Sequence, residues 1–96
     1  MNKVLFPKKD YVKELVRIFK LSKNSQKLVK TLSKYHEKDI AEAITLLTPA
    51  ERQHIYNVLD EHMIAEIFSY LDDTEKYLEE LSLEKAARVV SYMDSD

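Results

Sequence analysis

The chain has 96 residues, 33% charged and 45% hydrophobic, with no glycine, no cysteine and two prolines. That is one domain's worth of chain with a globular rather than a disordered balance. Without cysteine there is no disulfide framework, and no apolar run approaches the ~20 residues of a membrane span. The net charge of −2 divides sharply. Met1–Lys38 carries eleven Lys/Arg against three acids, a net +8, whereas Asp39–Asp96 carries four against fourteen, a net −10. Such asymmetry bears on partners more than on fold.

Met1–Lys9 reads as a frayed end, with too short an apolar stretch at Val4-Leu5-Phe6 for a secretion signal. As given, the chain therefore reads as soluble and cytosolic. Asp10–Leu21 carries Tyr11, Val12, Leu15, Val16 and Phe19 on one side and predicts a first helix. Ser22-Lys23-Asn24 is a joint, and Ser25–Tyr35 predicts a second helix with Leu28, Leu32 and Tyr35 inward and lysines opposite. Together these make a basic helical cap over residues 1–35.

From residue 36 to residue 96 an acidic region of the same domain is punctuated regularly. Leu47-Thr48, Leu59-Asp60, Leu71-Asp72, Leu81-Ser82 and Met93-Asp94 each set an N-cap residue type directly after a large apolar one, at spacings of 12, 12, 10 and 12. An N-cap side chain accepts from a free backbone N–H of the first turn, which is why Thr, Asp and Ser belong there. Thr48-Pro49-Ala50-Glu51 is the fullest case, with proline where its missing N–H costs nothing and Glu51 placed for a capping box. Asp72 and Glu75 repeat that spacing. Each interval holds a helix of about ten residues, too short to be stable alone, so packing must hold it. The apolar sets Ile40/Ala43/Ile44/Leu47, Ile55/Val58/Leu59 and Ile64/Ile67/Phe68/Leu71 mark the packing faces.

Alternate helices also echo one another. Ile40-Ala41-Glu42-Ala43 recurs as Ile64-Ala65-Glu66-Ile67, and Ser69-Tyr70-Leu71-Asp72 as Ser91-Tyr92-Met93-Asp94, at offsets of 24 and 22. The predicted fold is all-α, a right-handed superhelical stack (solenoid) of short helical hairpins, about seven helices in all. Asp94 is a start signal with no helix after it, and the expectation is a domain cut short at its C-terminal end.

Chemistry is sparse. His36, His54 and His62 form no His-Glu-x-x-His motif, and no Gly-rich loop or nucleophile elbow is present, so the chain does not read as an enzyme. The histidines read as surface or half-buried residues rather than zinc ligands, and the six tyrosines as packing residues. Lys20, Lys23, Lys27, Lys30 and Lys34 read as a solvated face, opposing the acidic segment or an anionic membrane surface, in preference to a nucleic-acid site. Asp72, Asp73, Glu75, Glu79, Glu80 and Glu84 offer the hard oxygens that Mg²⁺ takes, but on residues alone capping and the helix dipole are the preferred explanation.

The stretches His36-Glu37-Lys38-Asp39-Ile40-Ala41-Glu42-Ala43, Leu46-Leu47-Thr48-Pro49-Ala50-Glu51-Arg52, Ala65-Glu66-Ile67-Phe68 and Leu71-Asp72 resemble the N-terminal cytosolic domain of the MgtE magnesium transporters. Leu81–Ala87 and Met93–Asp96 resemble the next two breaks of that pattern, and the likeness covers Tyr35 to Asp96. The resemblance implies a regulatory domain of a bacterial inner-membrane or plasma-membrane transporter, on its cytoplasmic side. It implies CBS domains and a transmembrane domain of the same chain as partners, a homodimer in the full transporter, and no nucleic acid. Membrane association would come through the missing part of the chain. By motif it implies Asp94 and Asp96 as Mg²⁺ ligands at the interface with the CBS domains. Serine at position 95 replaces the family's proline and the break's last acid is absent, so Mg²⁺ binding by this stretch alone is expected to be weak or nil. The alternative is a helical protein-interaction module like the short-helix stacks of the flagellar motor switch protein FliG, with no ion sensing.

Overall fold

The short apolar repeats and polar punctuation resolve into helices only. The computed structural model describes Lys8 to Asp94, with side chains from Tyr11 onward. Among these residues lie seven helices and no strand: α1 (Lys8–Leu21), α2 (Ser25–Leu32), α3 (Glu37–Thr45), α4 (Pro49–Val58), α5 (Glu61–Phe68), α6 (Thr74–Leu78) and α7 (Leu83–Met93). The expected frayed end falls partly outside the described residues, and α1 begins at Lys8, earlier than the apolar spacing alone marks. Among the described residues no φ is positive, so a chain without glycine turns its corners without any left-handed residue.

Local chemistry sets most helix starts. Thr48 closes a full capping box: its Oγ1 accepts from Glu51 N–H at 3.2 Å, while its own N–H donates to Glu51 Oε1 at 2.9 Å. Asp60 accepts from Met63 N–H at 2.8 Å, Ser82 from Lys85 N–H at 3.1 Å and Asn24 from Lys27 N–H at 2.9 Å. Two expected starts differ. Asp72 caps nothing; α6 begins at Thr74, and Asp73 before it sits at φ −115°, ψ 65° with no side-chain cap bond. Thr74 explains the shift, because its hydroxyl donates back to Leu71 O and Phe68 O, holding the end of α5 where a cap would otherwise start. Asp94 is the C-cap of α7, its N–H donating to Val90 O and Tyr92 O.

One core joins every helix. Val12, Leu15 and Phe19 of α1, Leu28 and Leu32 of α2, Ile40 and Ile44 of α3, Ile55 of α4, Ile64, Ile67 and Phe68 of α5, Tyr77 of α6 and Val89 of α7 are all buried in it. The closest packing runs α1 on α3, α3 on α5 and α5 on α7, so odd-numbered helices follow one another along the molecule. The body measures 50 × 30 × 21 Å. A side-chain pairing recurs with that order. Tyr70 after α5 lies edge-on to His36 at the start of α3, and Tyr92 of α7 lies edge-on to His62 of α5, with centroids 5.6 and 4.7 Å apart.

Candidate functional site

The acidic residues divide into those already engaged and those left to solvent. Glu80, after α6, is engaged most fully. Its carboxylate takes a bidentate bond from Arg52 of α4, with Nε to Oε1 at 2.9 Å and Nη2 to Oε2 at 2.7 Å. The two side chains are only 6% and 17% exposed. Tyr56 adds a hydroxyl to Oε1 at 2.8 Å, and Gln53 donates to the Glu80 carbonyl.

Arg52 uses its whole fork. Nη1 donates to Leu47 O, just past the end of α3, and to Ile44 O in its last turn, which also accepts from Leu47 N–H. Its guanidinium carbon lies 5.0 Å from the centre of the Tyr77 ring. One cation therefore terminates α3, anchors the turn after α6 and faces the core tyrosine of α6. Burial pushes Glu80 up, but donation from Arg52 and Tyr56 outweighs it and holds the carboxyl below its usual value. The bond to Glu80 raises Arg52 further. Burial and then the Glu80 bond drive Tyr56 far above the ordinary phenol range, so its proton stays in place as a donor. Glu80 is thus a structural residue and is withdrawn from any ion-binding set. Nothing in the local sequence marks this, because Arg52 and Glu80 are twenty-eight positions apart.

Asp72, Asp73, Glu75, Glu79 and Glu84 are exposed, and none has an ion-pair partner among the described residues. Asp94 is exposed too, at the closing turn of α7; Asp96 lies outside the described residues. Among the described residues no group of three His, Asp or Glu side chains converges to hold a metal. The structure therefore does not bring the acids into one coordination shell; it leaves them as separate anionic points on the surface.

The histidines have other work. His36 Nδ1 accepts from Lys38 N–H at 3.0 Å and caps α3, a role its residue type does not advertise, and His62 packs on Tyr92. His54 is exposed on α4.

A family model described as the MgtE intracellular N domain matches residues 35–96, which spans α3 to α7 and leaves α1 and α2 outside. No curated protein and no solved structure matches the chain.

Proposed function

The chain belongs to the MgtE intracellular N-domain family, and from that premise we propose that it senses Mg²⁺ and regulates the pore of a magnesium transporter. The family is a regulatory part of a membrane transporter rather than an enzyme family. No helix among the described residues is long and apolar enough to cross a membrane. In this reading the pore belongs to a transmembrane domain of the full-length chain, in a bacterial membrane with this domain on the cytoplasmic side. The partners are CBS domains of the same chain, within a homodimer.

The observation that carries the reading is the set of exposed, unpaired carboxylates from Asp72 to Asp94, standing on a frame in which Glu80 is already neutralised by Arg52. Mg²⁺ takes hard oxygen ligands, keeps several waters and needs only one or two carboxylates from each surface. Asp94 fits as such a donor: it is exposed and fixed by the C-terminal turn of α7. Asp94 and Asp96 would hold the ion together with acids of a facing CBS domain, and the ion supplies positive charge where two acidic faces otherwise repel. Asp94 stands alone among the described residues, so Mg²⁺ binding by this chain in isolation should be weak or undetectable. Neutralised faces favour the compact arrangement and a closed pore, and bare ones the loose arrangement. Regulation is then a population shift set by the difference in ion affinity between the two states.

A docking module without ion sensing is the second reading. It draws on Leu83, 90% exposed on α7, an apolar side chain well placed to meet another protein. Small-angle scattering of the complete cytosolic region separates the two. A radius of gyration that falls on Mg²⁺ addition supports the sensor; one that ignores Mg²⁺ leaves the docking module.

A further inference from the structure

The most one-sided part of the molecule is the part that the family match leaves out. From Leu15 to Lys34 the chain has six Lys/Arg and no acid. Lys27, Lys30 and Lys34 follow at spacings of three and four along α2 and the turn after it, which aligns them as one stripe, and Lys23 stands in the joint just before the helix. Leu28 and Leu32 on the other side of α2 are buried, so the stripe faces outward, and all four lysines are exposed. None of the four has an ion-pair partner among the described residues, whereas Lys20 on α1 meets Glu51 at 3.7 Å. Beside the stripe, at the end of α1, Leu21 is 69% exposed between Lys20 and Lys23. Four parallel positive charges cost self-repulsion that no internal partner relieves, and a bare leucine among them costs contact with water.

We propose that the α2 lysine stripe, with Leu21 as its apolar foot, docks this domain on an anionic phospholipid surface. Three features favour lipid over other polyanions. The stripe is all lysine, and a strongly hydrated point charge suits a diffuse layer of headgroups better than the bidentate phosphate contacts for which arginine is the usual choice. Leu21 has no function against a nucleic-acid backbone but has one at the headgroup boundary, where an apolar side chain gains by insertion. Membership of a membrane-transporter family supplies the surface itself, held close at high effective concentration. The acidic −10 region does not neutralise the stripe, because none of its acids pairs with these four lysines among the described residues and charges further than ~8 Å away are screened at physiological salt. This inference rests on the family and not on ion sensing: it requires no Mg²⁺, and a transporter domain without any ion response would still show it.

The test is flotation of the 96-residue chain with vesicles of phosphatidylglycerol and phosphatidylcholine in equal parts, with a chelator present to exclude divalent bridging. Binding is expected to these vesicles and not to pure phosphatidylcholine, and it should fall steeply as salt rises. Changing Lys23, Lys27, Lys30 and Lys34 together to Gln should weaken it at least about tenfold. Lys38→Gln with Lys76→Gln should leave it within about twofold, since neither lies on the stripe. All four stripe residues are exposed, and far-ultraviolet circular dichroism checks that the fold is kept. The chain has no tryptophan, so Leu21→Trp is a sole reporter whose emission should shift to the blue on the anionic vesicles. Equal binding to neutral vesicles, unchanged binding by the fourfold Gln variant, or unshifted emission at position 21 would each overturn the proposal. So would a fluorescent DNA duplex bound in preference to the vesicles, which would reassign the stripe to nucleic acid.

Discussion

At the scale of single residues, the fold depends most on Arg52. It is 5% exposed, and its guanidinium serves the Ile44 carbonyl of α3, the Leu47 carbonyl just beyond it, the Glu80 carboxylate and the Tyr77 ring. Removing one partner of such a pair leaves an uncompensated charge, so Glu80→Ala should cost about 3 kcal/mol in urea unfolding. Arg52→Lys should also destabilise, because one ammonium cannot reproduce the fork. The same pair predicts an acid response. Glu80 is held below its usual value in the folded state, so its stabilisation is complete above the ordinary glutamate range of about 4.3 and is lost as pH falls through its lower folded value. Stability measured downward from about pH 6 should therefore drop more steeply in the parent than in Glu80→Gln, which cannot titrate. Parallel acid limbs would show that the pair contributes nothing through linkage.

At the scale of helices, stability depends on ends more than on lengths, because pieces of five to eleven residues beyond α2 cannot stand alone. Thr48→Ala removes the hydroxyl half of a capping box, the acceptor for Glu51 N–H, and should lower stability by about 1 kcal/mol. Asp72→Ala, at a site that caps nothing, should stay within about 0.5 kcal/mol. Denaturant midpoints of the two variants decide the matter, and equal losses would contradict this assignment. α6 has five residues and no side-chain cap bond, so its amides should exchange with solvent ahead of those of α3 and α5. The contrast between Thr48 and Asp72 also shows what a sequence can reveal. Caps at Thr48, Asp60 and Ser82 are legible because donor and acceptor lie three residues apart. The apolar faces of α3 and α5 are legible because their period is local, and Ile40, Ile44, Ile64 and Ile67 are buried as spaced. Asp72 misleads because Thr74, two residues on, takes hold of the end of α5 through bonds that a cap pattern does not encode. The cap by His36 and the Arg52–Glu80 pair are illegible for other reasons: one uses an uncommon capping residue, and the other spans twenty-eight positions. As for the candidate site, the acidic cluster is visible as composition. Its division into the engaged Glu80 and the exposed remainder appears only in three dimensions.

At the scale of the whole molecule, charge follows the order of packing. The basic helices α1 and α2 belong to one end of the sequence and the exposed acids to the region from α5 to α7, in a body of 50 × 30 × 21 Å. Such a body can present opposite signs to different partners, lysines toward lipid headgroups and carboxylates toward an acidic protein face bridged by cations. The two functions need not interfere, since none of the four stripe lysines pairs with an acid among the described residues. Family membership over residues 35–96 ties the acidic part to the transporter family, and a sensor's acids must respond to the ion. The most direct measurement is protease protection of the full-length transporter as Mg²⁺ is titrated, comparing the parent with Asp94→Ala, Asp96→Ala. Protection should rise with Mg²⁺ in the parent and require a higher Mg²⁺ concentration in the double variant. Protection curves that coincide would remove these two aspartates from the site, and a parent that gains no protection from Mg²⁺ would contradict the sensor itself.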